Sequence, residues 1–190
     1  MELMHHAETA SRFIDCVDVL YGFPFNSKLF NTVGDGTPLI RIRDINTGFS
    51  ETYTTEVADE KYIIHHGDCI VGMDGNFEIV KWAHQDAYLN QRACKMTPRT
   101  ICREYMRYYL QITLKKIEGN AQVTTVKHLS AKDINNMMLP VPAWDAQLVF
   151  EEFSLRSDKS KFVNVRNLVI YRMLGGIYPS PRILNLNQWS

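Results

Sequence analysis

Apolar and polar residues alternate most clearly in the segment 38–45, Pro-Leu-Ile-Arg-Ile-Arg-Asp-Ile. If residues 39–45 form a strand, Arg41 and Arg43 lie on one face and the isoleucines on the opposite face. The apolar face can then pack into a core, and the arginine face is free to meet an anion or an acidic partner. The pattern predicts a strand with one basic face, although a solvated strand face explains the arginines equally well.

Several other short apolar runs are separated by Gly, Asp or Asn, which is typical of an irregular antiparallel or mixed β body. These predicted strands span residues 61–64, 68–73, 77–82, 87–89, 92–97 and 123–126. Apolar residues at helical spacing predict helices over residues 7–20 and 98–118. Strands and helices mixed in this way predict an α+β fold.

The last third of the chain predicts one long helix. The prolines in residues 139–142 are expected to break regular structure and to act as a hinge. Asp145 is a suitable N-cap, and helix-compatible sequence continues to about Leu174. Apolar residues recur along this helix every seven positions, at Leu148, Leu155, Phe162 and Val169. A seam this narrow needs a partner helix to be stable, so the pattern predicts helix pairing.

These features divide the chain into three segments. Residues 1–142 are predicted to form the β-rich body, and residues 143–175 are predicted to form the long spacer helix. Gly175 and Gly176 would stop the helix, because glycine favours helix termination. Residues 176–190 have no readable pattern and are expected to form a loosely ordered tail.

The charge balance limits the functions that fit this composition. The 190 residues include 21 Lys and Arg and 21 Asp and Glu, for a net charge of zero. A free-standing protein that coats DNA without sequence preference would carry a positive excess. A neutral chain can still read bases if a larger partner holds most of the phosphates.

The sequence also carries no sign of a membrane or a secretory route. No stretch approaches the roughly 18 consecutive apolar residues of a membrane span. The N-terminal residues lack the basic region followed by an apolar region that marks a secretory signal. We therefore expect a cytoplasmic protein with no membrane partner.

The cysteines show no paired spacing, so the sequence predicts neither a zinc ribbon nor a disulfide framework. They are Cys16, Cys69, Cys94 and Cys102. Buried reduced thiols are the favoured interpretation. A hydrolase with Cys94 as nucleophile and His84 or His128 as base is a further possibility, but nothing in the sequence orders these groups.

The histidines do not predict a metal site. His65 and His66 are adjacent and would point to opposite faces of a strand. His84 and Asp68 could be added as ligands, but their spacing matches no known ligand pattern. No Gly-rich phosphate loop of a common type is present either. The sequence therefore has no positive sign of catalysis.

Two polar turns carry side chains that suit DNA bases. Residues 72–76, Gly-Met-Asp-Gly-Asn, place Asp74 and Asn76 after an apolar strand. A carboxylate suits the N4 amino group of cytosine, and an amide suits N6 and N7 of adenine. The favoured interpretation from spacing alone is a β-hairpin turn, because Asp-Gly is a strong hairpin signal. Residues 90–92, Asn-Gln-Arg, place three hydrogen-bonding side chains in a row, although a turn at a strand edge is the simpler account.

The order and spacing of several short motifs form a resemblance that covers roughly residues 10–174. The motifs are Gly22-Phe23-Pro24-Phe25 with Ser27 and Phe30, Pro38 to Ile45, Gly67-Asp68, Val71 to Gly75, Trp82, Leu89 to Arg92, Leu139 to Pro142 with Gln147, and Asp158 to Lys161. Each motif is weak alone. As a set they resemble the target recognition domain of type I restriction-modification specificity subunits and that family's junction into its helical spacer.

The resemblance implies a function without chemistry of its own. Subunits of this family usually carry two recognition domains, each reading half of a split DNA sequence, and two long antiparallel helices that set the distance between the halves. Two modification subunits, which bind S-adenosylmethionine and methylate adenine, dock on this frame, and a restriction subunit joins for cleavage. The resemblance therefore implies a non-catalytic DNA specificity subunit that holds no cofactor itself.

This sequence contains one recognition domain and one spacer helix, so it resembles a half-length subunit. We expect two copies to pair through residues 145–174 as an antiparallel dimer that reads a two-part palindrome. The residues expected to contact double-stranded DNA are Arg41, Arg43, Asn46, Asp74, Asn76, Lys81, Gln91 and Arg92. The alternative function is a non-enzymatic protein–protein adaptor, in which the protruding helix joins partners without touching DNA.

Overall fold

Short strands and helices alternate irregularly in a computed structural model, which describes residues 9–45, 47, 49–75, 77–120 and 127–156. The strands are β1 Thr9–Arg12, β2 Val17–Tyr21, β3 Phe30–Asn31, β4 Thr37–Ile40, β5 Tyr53–Thr54, β6 Ile63–Ile64, β7 Cys69–Gly72, β8 Ile79–Lys81, β9 Ala87–Leu89, β10 Ala93–Pro98 and β11 Met138–Val141. The helices are α1 Phe13–Cys16, α2 Arg103–Asn120, α3 Ala131–Asn135 and α4 Trp144–Arg156. Turns of 3₁₀ helix span Ser27–Leu29, Ile42–Asp44 and Glu60–Tyr62. The predicted α+β class is confirmed.

Three sheets organise the described strands. β1 pairs with β11, and a four-stranded antiparallel sheet has the order β2-β10-β7-β8. A five-stranded sheet has the order β3-β5-β4-β9-β6, in which β4 and β9 are parallel. The two larger sheets enclose an apolar cluster around Trp82, Ile40 and Ile70. The other face of the four-stranded sheet packs against α2, so that Cys69 and Val71 of β7 belong to a second cluster.

The predicted helix over residues 7–20 is wrong. From Thr9 onward this segment forms β1, the short helix α1 and β2 in succession. β1 pairs with β11, and β2 pairs with β10. The apolar spacing that suggested one helix arises because Phe13 and Val17 are buried from two different elements. Pairing with distant strands overrides the local helical spacing here.

The predicted strand over residues 39–45 is wrong beyond Ile40. β4 ends there, and the chain turns into the 3₁₀ helix Ile42–Asp44. Asp44 fixes the turn, because its N–H donates to the Arg41 carbonyl at 2.9 Å and its carboxylate accepts the Arg41 N–H at 2.8 Å. The single basic strand face expected from the alternation therefore does not form.

The other predicted strands fare better. Four of them are confirmed, with small shifts at their ends, as β7, β8, β9 and β10. The predicted strand 61–64 keeps only the two residues of β6, because the 3₁₀ helix Glu60–Tyr62 occupies its start. The predicted strand 123–126 lies outside the described residues.

The helix predicted over residues 98–118 is confirmed with a later start. Pro98 still belongs to β10, and α2 begins at Arg103 and ends at Asn120. Buried side chains along one side of α2, among them Tyr105, pack on the four-stranded sheet. None of the described helices, α2 included, is both long and apolar enough to cross a membrane.

The predicted hinge at residues 139–142 is wrong, because Met138–Val141 form β11. Pro140 lies opposite Ala10 of β1 in a sheet that has two strands among the described residues. Proline is tolerated on such an edge strand, since the missing N–H is not needed by a further neighbour. The Pro140 carbonyl accepts a hydrogen bond from the Tyr105 hydroxyl at 2.6 Å, which fixes β11 to α2.

α4 is attached to the body through the side chain of Gln147, which is 1% exposed. Its Oε1 accepts the backbone N–H of Cys102 at 2.9 Å, and its Nε2 donates to the Pro142 carbonyl at 2.9 Å. Phe150 is buried three residues later on the same side. These contacts fix the start of α4 against the start of α2.

The opposite face of α4 leaves apolar side chains in solvent. Leu148 is 46% exposed, and Leu155 is 70% exposed. The remaining parts of the long-helix prediction lie outside the described residues: Phe162, Val169, residues 157–174 and the tail 176–190. α4 begins at Trp144, close to the predicted start, but Asp145 lies in its first turn and is not the predicted N-cap. The length and pairing of the long helix stay predictions.

Candidate nucleic-acid interface

Four loop segments meet at one end of the two larger sheets. The segment after β7 lies beside the segment before β10, where the Met73 N–H donates to the Arg92 carbonyl at 2.9 Å. A loop after α2 lies beside the segment after β7, because the Leu129 N–H donates to the Met73 carbonyl at 2.7 Å. The turn after β4 reaches the same end, because β4 runs parallel to β9. We name this set the polar edge: residues 41–44, 73–75, 90–92 and 127–129.

Asp74 holds two exposed side chains of the polar edge. Its Oδ2 accepts a hydrogen bond from Nη1 of Arg92 at 3.0 Å, and its Oδ1 lies 2.6 Å from Nδ1 of His128. The side chains of Arg92 and His128 are 58% and 51% exposed, whereas that of Asp74 is 20% exposed. Both carboxylate oxygens are thus already bonded, and Asp74 acts as a support for its more exposed neighbours.

Two glycines allow the polar edge to close. Gly75 has a φ of 75°, a left-handed conformation that glycine adopts without strain, and its N–H donates to the Lys127 carbonyl at 2.9 Å. A Cβ on Gly22 would overlap the Asn90 carbonyl. A larger residue at Gly22 would therefore displace the segment before β10.

Arg41 and Arg43 reach the polar edge from a turn. Arg43 is bonded within its own surroundings, since Nη2 donates to Oγ1 of Thr52 at 3.2 Å and Nε lies 3.6 Å from Oδ1 of Asp44. Arg41 instead places its guanidinium 6.0 Å from the centre of the Phe30 ring. Among the described residues Arg41 has no carboxylate within ion-pair distance, so it is the freer of the two charges.

The structure brings together five of the eight residues expected to contact DNA: Arg41, Arg43, Asp74, Gln91 and Arg92. Gln91 is exposed, and its N–H donates to the Phe23 carbonyl at 3.1 Å. Lys81 does not join them, because it ends β8 opposite Cys69, at the other end of the four-stranded sheet. Asn46 and Asn76 lie outside the described residues.

His128 belongs to the polar edge, and sequence reasoning missed this role. The sequence suggested His128 only as a base for Cys94, but Cys94 is fully buried, and its Sγ lies 3.9 Å from the Val71 carbonyl. Burial raises the pKa of the Cys94 thiol to about 12, which leaves it a poor nucleophile. The contact between His128 and Asp74 spans 54 positions, so no local pattern could have indicated it.

Ordinary structural contacts also explain the other groups that the sequence offered as candidate catalytic or metal-binding residues. All four cysteines are buried and free, as their spacing suggested. No group of three or more His, Cys, Asp or Glu side chains within the described part of the chain could hold a metal ion. His65 lies 2.9 Å from Asp86 at the surface, where both side chains are 61% exposed.

A comparison with known protein families finds one that matches this chain. The model of the type I restriction modification DNA specificity domain matches residues 15–150, which include the whole polar edge. The chain belongs to this family. The type I restriction enzyme EcoBI specificity subunit of Escherichia coli is 37% identical over 137 residues, which make up 71% of this chain and 29% of that protein.

Solved structures share the fold of this specificity domain. The HsdS subunit from Thermoanaerobacter tengcongensis superposes with a TM-score of 0.62 at 14% identity, covering 91% of this chain and 46% of that one. A second solved structure concerns complex assembly and conformational transition of the type I R-M system. One of its chains also has a TM-score of 0.62 at 14% identity, and the match covers 90% of this chain and 44% of that one. The specificity-domain chain thus spans less than half the length of each of these relatives.

Proposed function

We propose that this specificity domain recognises DNA sequence through the polar edge, as part of a type I restriction-modification assembly. The observation that carries the proposal is the group of side chains at that edge, Arg41, Gln91 and Arg92, which lies within the family match. Arginine and glutamine have the donor and acceptor geometry to read guanine and adenine in the major groove. The two sheets behind the edge fix the spacing of these groups.

Asp74 has a supporting part in this proposal. Its carboxylate is bonded to Arg92 and His128, so it orients both side chains and does not itself accept from cytosine. A guanidinium held on one side by a carboxylate still has N–H groups for a base or a phosphate. Arg92 and His128 would therefore meet the DNA, with Asp74 behind them.

The proposal assigns every covalent step to other subunits. Modification subunits carrying S-adenosylmethionine would methylate adenine, a restriction subunit would cleave, and this chain would bind duplex DNA without a cofactor. The resemblance to an Escherichia coli restriction enzyme specificity subunit supports these partners. The burial of all four thiols supports a chain that supplies sequence preference and no nucleophile.

Selection from a pool of random duplexes tests the proposal. The chain would be purified with its modification subunit, and the bound duplexes sequenced. We expect a preferred sequence that depends on Arg92, while Arg12→Ala, which removes an exposed arginine of β1, serves as the matched control. Methylation of all adenines alike, or the same preference without this chain, would contradict the proposal. A stable protein complex with no preference among duplexes would favour the adaptor function instead.

We propose in addition that residues 1–142 form the recognition domain, 143–175 the spacer helix and 176–190 a tail. Two copies would pair through residues 145–174, and the exposure of Leu148 and Leu155 supports this pairing. Sedimentation should show a dimer at micromolar concentration, and Leu148→Glu should weaken it because a charge would enter an apolar seam. A wild-type chain that stays monomeric, with and without DNA, would contradict the pairing.

A further inference from the structure

Lys81 and Arg103 meet at the end of the four-stranded sheet that lies opposite the polar edge. Lys81 is the last residue of β8, and Arg103 is the first residue of α2. Cε of Lys81 and Nη1 of Arg103 lie 3.8 Å and 3.9 Å from the point where a Cβ would stand on Gly67. The side chains of two exposed cations therefore approach the same glycine from different elements.

Neither of these cations has a carboxylate within ion-pair distance among the described residues. Neighbouring cations are paired, as shown by Lys95 of β10 with Asp68 at 3.0 Å and by Arg107 of α2 with Glu104 at 2.8 Å. Two like charges repel each other at close range unless an anion lies between them. The convergence of Lys81 and Arg103 thus leaves a position suited to an anion.

Arg107 lies near this position, but its charge is largely offset by its ion pair with Glu104. It lies one helical turn after Arg103, on the same side of α2. Its Nη1 bonds both carboxylate oxygens of Glu104, at 2.8 Å and 3.0 Å, while its buried Nε has no partner among the described residues. Burial raises the pKa of the Cys69 thiol, and the nearby charges of Arg107 and Arg103 oppose that rise. Glu104 and Asp68 act on the same thiol in the opposite direction. Because they pair with Arg107 and Lys95, the charge of Arg103 is left uncompensated among the described residues.

Gly67 leaves the backbone accessible between the two cations. Its φ of 93° is a left-handed conformation, and its N–H donates to the Trp82 carbonyl at 2.7 Å, which fixes the turn. With no Cβ in the way, a ligand oxygen can approach the turn closely. The start of α2 adds the positive end of a helix dipole on the same side.

We propose that Lys81 and Arg103 form a phosphate-binding site over Gly67, which holds the DNA backbone while the polar edge meets the bases. This inference rests on the proposed DNA-recognition function. Seven positions separate Gly67 from Asp74, a distance of at most about 23 Å in an extended chain. Because one DNA strand rises about 3.4 Å per phosphate, the two contacts would lie at most about seven nucleotides apart. Contacts to phosphate would set its register and orientation on the duplex.

The first test removes both charges in the full chain, assayed with its modification subunit. Lys81→Gln with Arg103→Gln should weaken binding to every duplex alike by about tenfold and make the salt slope shallower by about one unit. Lys81→Arg with Arg103→Lys keeps both charges and should retain affinity within about threefold. Lys28→Gln with Lys132→Gln removes two exposed charges elsewhere and is the matched control.

The second test locates the phosphate. Each phosphate of the preferred duplex is replaced in turn by an uncharged methylphosphonate. The wild type should lose about tenfold in affinity at one or two positions outside the preferred bases, and the double glutamine variant should lose nothing there. Equal losses for the two proteins, or no sensitive position, would overturn the inference.

The same measurements distinguish two other outcomes. If DNA binding is unchanged but the modification subunit binds the double glutamine variant more weakly, the patch meets an acidic protein surface and the phosphate site is wrong. If the wild type itself binds no duplex, the proposed DNA-recognition function fails, and this inference fails with it before any variant is compared.

Discussion

Nδ1 of His128 lies 2.6 Å from Oδ1 of Asp74, across 54 positions of sequence. The other oxygen of the same carboxylate accepts a hydrogen bond from Arg92 at 3.0 Å. One acidic side chain therefore connects three separate segments of the polar edge. Asp74 is the least exposed of the three side chains and is bonded to both of the others. Removing its carboxylate should therefore change the positions of Arg92 and His128.

Asp74→Ala should lower the free energy of unfolding by about 1–2 kcal/mol, because it removes hydrogen bonds that join the β7–β8 turn to the loop at His128. Urea denaturation measures the change. Arg92→Ala removes only a well-exposed partner and should cost less than about 1 kcal/mol. A stability of Asp74→Ala equal to that of the wild type would show that the contact does not hold the polar edge together.

The supporting role of Asp74 predicts which base pair its variants affect. Arg92→Ala should relax preference at one base pair by about 1–3 kcal/mol, as expected for loss of a base contact. Asp74→Asn should relax the same base pair by a smaller amount, because Arg92 is still present but less well oriented. Binding to a set of single-base duplex variants measures both effects. A change at a different base pair in Asp74→Asn would mean that Asp74 contacts DNA directly.

Gln147→Leu should lower the free energy of unfolding by about 2–3 kcal/mol, because it leaves two buried backbone groups without partners. These are the N–H of Cys102 and the carbonyl of Pro142. Gln111→Leu, the same substitution at an exposed position of α2, should change stability by less than about 0.5 kcal/mol and is the matched control. Equal effects of the two substitutions in urea denaturation would contradict the role assigned to Gln147.

The burial of Cys94 predicts a loss of stability at alkaline pH. Its pKa is raised by burial from 9.0 to about 12, so above about pH 9 the unfolded chain releases a proton that the folded chain retains. This contribution is fully present below pH 9, and it is lost as the pH rises from about 9 to about 12. Cys94→Ala should therefore show a shallower decline in the free energy of unfolding over this window. The same slope in both proteins would exclude Cys94 as a cause.

Local sequence patterns were sufficient to predict the elements whose burial follows the order of apolar and polar residues in a single segment. β7 could be predicted because it is a continuous apolar strand that is buried throughout, and β10 because buried Cys94 and Met96 alternate with the polar Lys95 and Thr97. The turns beside these strands drew attention to Asp74 and Arg92. The pattern was misleading where distant pairing decides the conformation. Residues 7–20 have helical spacing, but their partners in β10 and β11 make most of the segment extended.

The sequence by itself determined the α+β class, most of the central strands, the burial of the thiols and the set of polar turns beside the strands. These properties follow from residue type and from short periodicities, which a single segment contains. Only the tertiary structure decided that Asp74 supports His128 and Arg92, and that Lys81 lies with Arg103 instead of with the polar edge. Such contacts depend on strand order and register, because these place residues distant in sequence beside each other.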